Sequence, residues 1–198
     1  MVASLVADDS QPAIASQRPT SSAARIIAPW QADFLRTALR ERKNLLIAGG
    51  TASGKTTLLN ALLHELSLLI ESSERLIILE DTRELQCHVH NTVKLRTAEV
   101  ATLTFLVAKT MRLRPDRIVI GEVRGSEALA LLKAWNTGHS GGLATIHANS
   151  ARAALTRLDM LVQEAGVPPQ PQLVRETVDY VAHITKTPLG HKVHEIVA

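Results

Sequence analysis

Short unbroken apolar runs alternate along the chain with longer segments in which apolar side chains recur every three or four residues. The runs around Leu45–Ala48, Leu76–Leu79, Thr92–Leu95, Ile118–Ile120 and Leu143–Ile146 predict buried strands. Two more, Val181–Thr185 and Lys192–Val197, flank the turn Pro188-Leu189-Gly190 and predict a closing hairpin. Between them lie helical patterns. One starts at Pro29, with Trp30, Phe34, Leu35, Ala38 and Leu39 on one face; another runs from Lys55 to about Ile70. A third has Val100, Leu103, Leu106, Val107 and Met111 in register and is stopped by Pro115. Glu127–Trp135, Ala151–Glu164 (capped by Asn149-Ser150) and Pro171–Asp179 complete the set. Strand and helix in alternation predict an α/β domain: a largely parallel sheet flanked by helices, with a short C-terminal hairpin. Ligands of such sheets sit at the carboxyl ends of the strands, so the chemistry is expected there. Residues 1 to about 24 are rich in Ala, Ser, Gln, Pro and Thr without periodicity and are expected to form a disordered, low-complexity tail. That leaves 25–198 as one domain.

Composition narrows the partners. At 198 residues and 45% hydrophobic content, the chain can bury one good core, and an aromatic share of 3% makes that core aliphatic. A net charge of +3, with no block of like charges and no basic cluster interleaved with aromatics, argues against a nucleic-acid-binding surface. Cys87 is alone, which rules out a disulfide framework or a paired-cysteine zinc site. The N-terminus lacks the basic flank and apolar core of a signal peptide, and no apolar run approaches the ~20 residues of a membrane span. A cytoplasmic protein, at most peripheral on a membrane, is expected.

The first predicted strand leads into Gly49-Gly50-Thr51-Ala52-Ser53-Gly54-Lys55-Thr56-Thr57, which fits G-x-x-x-x-G-K-[ST] and is followed by a leucine-rich helix. Strand, glycine loop, helix is the context that gives this motif its meaning. Backbone N–H groups of the curled loop and the positive end of the helix converge on phosphate oxygens. Lys55 reaches the β- and γ-phosphates, and the Thr56 hydroxyl is placed to ligate Mg²⁺. ATP and Mg²⁺ are the expected ligands. Other predicted strands exit into Glu80 and Asp81, into Gly121 and Glu122, and into His147. Phosphoryl transfer to water calls for a metal-side carboxylate and one that orients or deprotonates water. Glu80 is expected to activate the water and Glu122 to hold the magnesium shell. Glu80 or Asp81 makes up for the missing acid before Glu122. Each has a plainer reading: Glu80 and Asp81 as loop acids, Glu122 paired with Arg124, His147 as a satisfied core histidine.

The blocks GGTASGKTT, ILEDTREL, IVIGEVRG and NTGHSGGLATIHANSA, in this order, resemble the secretion ATPase family, and most closely its conjugal-transfer ATPases of the TrbB type. They correspond to the family's Walker A, aspartate, Walker B and histidine boxes. The resemblance runs from Arg25 to the C-terminus. It implies a RecA-like P-loop NTPase fold and a hexameric ATPase that drives conjugative DNA transfer or type IV secretion at the inner membrane, with secretion-apparatus proteins as partners. It also implies that His147 reports the γ-phosphate state and that His139 belongs to the same box. Arg96 and Arg112 fall where the family places arginines that reach nucleotide at domain or subunit boundaries. The family's N-terminal domain is expected to be absent here. Triphosphate binding, local to the loop, is then retained, while base affinity, ring assembly and turnover are weakened. Two other readings remain open at this level: a truncated non-catalytic nucleotide-binding module, and a RecA-like DNA motor.

Overall fold

A computed structural model describes residues 26–198; the tail expected over residues 1–24 lies outside the described residues. Its centre is a seven-stranded sheet in the order β3-β2-β4-β5-β1-β6-β7. The strands are β1 (Leu45–Gly49), β2 (Leu76–Glu80), β3 (Thr92–Arg96), β4 (Arg117–Val123), β5 (Leu143–His147), β6 (Tyr180–Thr187) and β7 (Gly190–Val197). All neighbours are parallel except the β6–β7 hairpin. The helices are α1 (Pro29–Arg40), α2 (Lys55–Leu69), α3 (Leu103–Thr110), α4 (Glu127–Asn136), α5 (Ala151–Gln163) and α6 (Pro171–Thr177).

Successive side chains on β1, β2 and β4 enter opposite cores. Leu46, Ala48, Ile77, Leu79, Ile118 and Ile120 pack with α3, α4, α5 and α6. Leu45, Ile47, Leu76, Ile78 and Val119 pack with α1 and α2. Because both faces are covered, these strands read as continuous apolar runs rather than as alternating patterns. No helix among the described residues is long and apolar enough to cross a membrane.

Three sequence expectations change in detail. Trp30 is 63% exposed, and Gln31 takes its place in the interface. The Gln31 amide accepts from the Ala28 N–H (2.9 Å) and donates to the Val193 carbonyl (3.3 Å), so its polar atoms are satisfied there. The third helix starts at Leu103, because the Thr102 side chain caps it by accepting from the Phe105 N–H. Val100 therefore lies ahead of the helix and is exposed, and Met111 begins a 3₁₀ turn (Met111–Leu113) that ends at the left-handed Arg114. Finally, β4 does not stop at Ile120. It continues to Val123 through a shift of register against β5, so Gly121 and Glu122 sit inside the strand at a bulge.

Candidate functional site

The glycine loop leaves β1, which lies between β5 and β6 within the sheet, and delivers the chain to the first turn of α2. Its shape demands glycine at two points. At Gly49 a Cβ would run into the Ser53 hydroxyl and the Ile184 carbonyl, and Gly54, the N-cap of α2, has φ +95°. The Lys55 ammonium donates to the Gly49 and Gly50 carbonyls at 3.0 and 2.9 Å. Burial pushes the Lys55 pKa down; Glu122 opposes that shift and Arg124 adds to it. A cation held this way, partly desolvated over its own loop, gains from the arrival of a polyanion.

On the β4 side of the loop, Thr56, Glu80, Asp81, Glu84, Glu122 and Arg124 line one open cleft of about 400 Å³. The topology explains the convergence. Glu80 ends β2, Glu122 lies on the β4 bulge, and β2 and β4 are neighbours. Gly121 lies directly beside Glu80: a Cβ there would stand in van der Waals contact with that of Glu80, at 3.4 Å. The Thr145 hydroxyl, one strand further on, donates to the Gly121 carbonyl at 2.7 Å and holds the bulge open toward the cleft. Glu80 is buried, and its Oε2 accepts from the Glu84 and Leu85 N–H groups (3.1 and 2.9 Å). It thereby shapes the loop after β2 as well as facing the cleft.

Arg124 grips Glu122 through Nε and Nη2 at 2.8 and 2.6 Å and reaches Asp81 at 3.4 Å, so the plainer reading of Glu122 is realised. The bonded carboxylate raises the arginine pKa further. The loop bearing Arg124 is fixed in turn: the N–H groups of Arg124 and Gly125 both donate to Glu127 at the start of α4.

His147 stands beside Gly49 across the β5–β1 pairing and is exposed, not a core histidine. Arg96 pairs in register with Glu80 on the edge strand β3 and is exposed. Arg112 and His139 are not brought to this end. Arg112 lies in the 3₁₀ turn leading to the amino end of β4, and the His139 ring bonds the Pro115 carbonyl (2.7 Å) just before that strand. Sequence reasoning passed over Glu84. It is the third acid of ILEDTREL, and it accepts from the Thr56 hydroxyl at 3.3 Å. Its signal was its place four residues after Glu80, where a tight loop can turn back to the cleft.

The donor set is hydroxyl and carboxylate oxygen. Among the described residues no group of three or more His, Cys, Asp or Glu is arranged to hold a metal unaided. That combination fits Mg²⁺, which keeps several waters and takes one or two protein oxygens together with phosphates. It does not fit a resident zinc ion.

Comparison with known proteins agrees with this geometry. The family profile described as "Type II/IV secretion system protein" matches residues 21–189. The "Probable conjugal transfer protein TrbB" of Sinorhizobium fredii is 52% identical over 172 residues, covering 87% of this chain and 53% of that protein. The "Type IV secretion system protein PtlH" of Bordetella pertussis is 42% identical over 162 residues, covering 74% and 46%. Among solved structures, the VirB11 ATPase of the Brucella suis type IV secretion system, in complex with sulphate, superposes with a TM-score of 0.74. It shares 32% identity and covers 83% of this chain and 51% of that one. The pilus retraction motor PilT with bound ADP shares the fold at a TM-score of 0.61 and 22% identity, covering 80% and 48%. The chain spans about half the length of the curated relatives it matches.

Proposed function

We propose a function from one premise: the chain belongs to the type II/IV secretion system protein family. In this reading it is an ATP-binding motor subunit that couples hydrolysis to conjugative DNA transfer or type IV secretion at the inner membrane. The observation that carries the proposal is the single cleft in which Thr56, at the mouth of the phosphate loop, faces Glu80, Asp81, Glu84 and Glu122.

The loop N–H groups and the α2 N-terminus bind the polyphosphate. Lys55 exchanges two carbonyl partners for β- and γ-phosphate oxygens, whose negative charge offsets the cost of its burial. Thr56, which donates to Glu84, and Glu122 and Asp81, which pair with Arg124, are the residues that would hold a hydrated magnesium ion. Magnesium bound there would neutralise charge on the phosphates as the terminal bond breaks. Glu80, its Oε2 fixed by two backbone donors, holds its other oxygen in a set direction and orients the attacking water. His147, at the level of Gly49, reads whether a terminal phosphate is present. Arg112 lies at the far end of the sheet from the chain's own loop, so a nucleotide it touched would be that of a neighbouring copy in a ring. Arg96 is placed on an exposed edge for the same use.

Single-turnover hydrolysis with Glu80→Gln, Glu84→Gln and Glu122→Gln, alongside nucleotide binding, tests the roles. Glu80→Gln is expected to bind MgATP and lose at least about 100-fold in rate. Glu122→Gln is expected to raise the Mg²⁺ concentration needed for half-maximal activity. Full activity in Glu80→Gln with loss in Glu84→Gln would transfer the water to Glu84. Turnover that rises steeply with protein concentration and vanishes in Lys55→Ala supports a ring motor; tight binding without turnover supports a non-catalytic module.

A further inference from the structure

The chain leaving β2 turns back to bring Glu84 against Thr56, and its main-chain groups there are taken up by side chains from three elements. Glu80, at the end of β2, accepts the Glu84 and Leu85 N–H groups. Lys94, on β3, donates to the Leu85 carbonyl at 3.0 Å. Asn60, on α2, supplies two further bonds: its amide donates to the Glu84 carbonyl at 3.1 Å and accepts from the Gln86 N–H at 2.8 Å. A carbonyl can only accept and an N–H only donate, so these two partners fix which way the amide points. Glu80 and Lys94 tie the segment to the sheet. Asn60 ties its main chain to the helix that begins at the phosphate loop.

Thr56 and Asn60 are four residues apart and share a face of α2. His64, four residues further on, has its ring centroid 6.1 Å from that of His88. Eight helical residues rise about 12 Å, and four residues of extended chain span about 13 Å. Residues 84–88 therefore track α2 in the same direction, with Thr56 and Asn60 facing Glu84–Gln86 and His64 facing His88.

We propose that Asn60 is a positioning residue of the nucleotide site: through the main chain of residues 84–86 it holds the Glu84 carboxylate at the Thr56 hydroxyl. The inference rests on the triphosphate reading above and adds to it a residue that acts only through another. Glu84 accepts from Thr56 at 3.3 Å, so the acid stands beside the oxygen proposed for magnesium, where it can accept from the ion's bound water. That use depends on where the end of a loop sits. Both Asn60 bonds lie at the surface, where water can replace them. Losing them leaves the segment folded on Glu80 and Lys94 but free to lift from α2.

A double-mutant cycle on the full chain tests this. The quantity measured is the Mg²⁺ concentration for half-maximal ATP binding, with amide hydrogen exchange and urea denaturation of the nucleotide-free chain beside it. Asn60→Ala is expected to raise the Mg²⁺ requirement about three- to tenfold. The urea midpoint should stay near the wild-type value, since alanine suits a helix better than asparagine. The Gln86 amide should exchange faster, while the Leu85 amide, held by Glu80, keeps its protection. In a Glu84→Ala background the same substitution is expected to change the Mg²⁺ requirement less than about twofold. An equal factor in both backgrounds gives Asn60 another route of action and overturns the proposal. So does an unchanged or lowered requirement in Asn60→Ala. A lowered urea midpoint, or loss of Leu85 protection along with that of Gln86, overturns it too, by making Asn60 a brace for the fold. Failure of the wild type to bind MgATP overturns the phosphate-loop reading and the proposal together, whereas binding without this coupling overturns the proposal alone.

Discussion

The two ends of the sheet hold the same residue types and use them differently. At the amino end Arg117 is 2% exposed; it donates to Glu74 at 2.9 Å and to the Leu39 carbonyl at 3.0 Å. Arg42, in a left-handed conformation, adds bonds to Glu74 and the Asp116 carbonyl, and Asp116 accepts the Arg75 N–H at 2.7 Å. Asn44 ties three segments together: its amide donates to Thr177, and its Oδ1 accepts from Gly141 and Gly142. At the carboxyl end Arg124 is 64% exposed, and its partners Glu122 and Asp81 line an open cleft. One set of charges is enclosed by partners from several elements. The other is paired along a solvent-facing loop, where an incoming ligand can compete for it. Burial, more than residue identity, separates the structural charges from the exchangeable ones.

The largest test breaks the enclosed set. Arg117→Ala leaves Glu74 without its closest partner and the Leu39 carbonyl without a donor, and is expected to destabilise the fold by about 3–5 kcal/mol. Urea denaturation reads this directly. A loss under about 1 kcal/mol would place Arg117 with the exchangeable charges and erase the distinction. Lys55→Ala tests the opposite end. It is expected to change stability by less than about 0.5 kcal/mol, and to cost triphosphate binding about 1.5–3 kcal/mol, roughly 10- to 100-fold. Coincident effects on stability and binding would mean that the loop lysine braces the fold.

The contrast also marks what could be read in the sequence. The strands were legible because both faces are covered, which leaves each as an uninterrupted apolar run. Thr56, Glu80 and Glu122 were legible because a parallel sheet puts its strand exits at one end, whatever the tertiary detail. Arg117 was not, since at the head of a strand it reads as an ordinary surface cation. Its carboxylate partner lies 43 residues back and its carbonyl partner 78. Gln31 displaced Trp30 for a similar reason: its phase on α1 is set by a carbonyl 162 residues away. The bulge that places Glu122 depends on registers across three strands, and no local pattern encodes it. Arg112 and His139 carried a resemblance to functional positions, but topology puts them at the amino end.

A smaller effect sharpens the exchangeable side. Arg124 occupies the carboxylates that a hydrated magnesium ion would use, and as a largely exposed pair it opposes the metal weakly. Arg124→Gln is therefore expected to lower the Mg²⁺ concentration for half-maximal nucleotide binding about two- to fivefold, and to relieve part of the downward pressure on the Lys55 pKa. An increased Mg²⁺ requirement would show instead that Arg124 holds the acids in place for the metal.

The smallest effect tests where the boundary between the two ends falls. His183 pairs in register with Ala48, one residue before the phosphate loop, yet it is 5% exposed and its Nδ1 has no hydrogen-bond partner. Burial lowers its pKa; Glu195, 3.8 Å away, opposes the shift and the neighbouring His194 adds to it. Glu195 is itself engaged, accepting the Ala151 N–H at the start of α5. In the unfolded chain the ring protonates near pH 6.5, in the folded chain only at lower pH. Its contribution is therefore complete above about pH 6.5 and lost as the pH falls through the interval down to the folded value. Urea midpoints across that interval should decline in the wild type and decline less in His183→Gln. Equal slopes would mean that Glu195 or water satisfies the protonated ring at little cost. His183 would then belong with the exchangeable groups around the loop, and the enclosed region would begin deeper in the sheet.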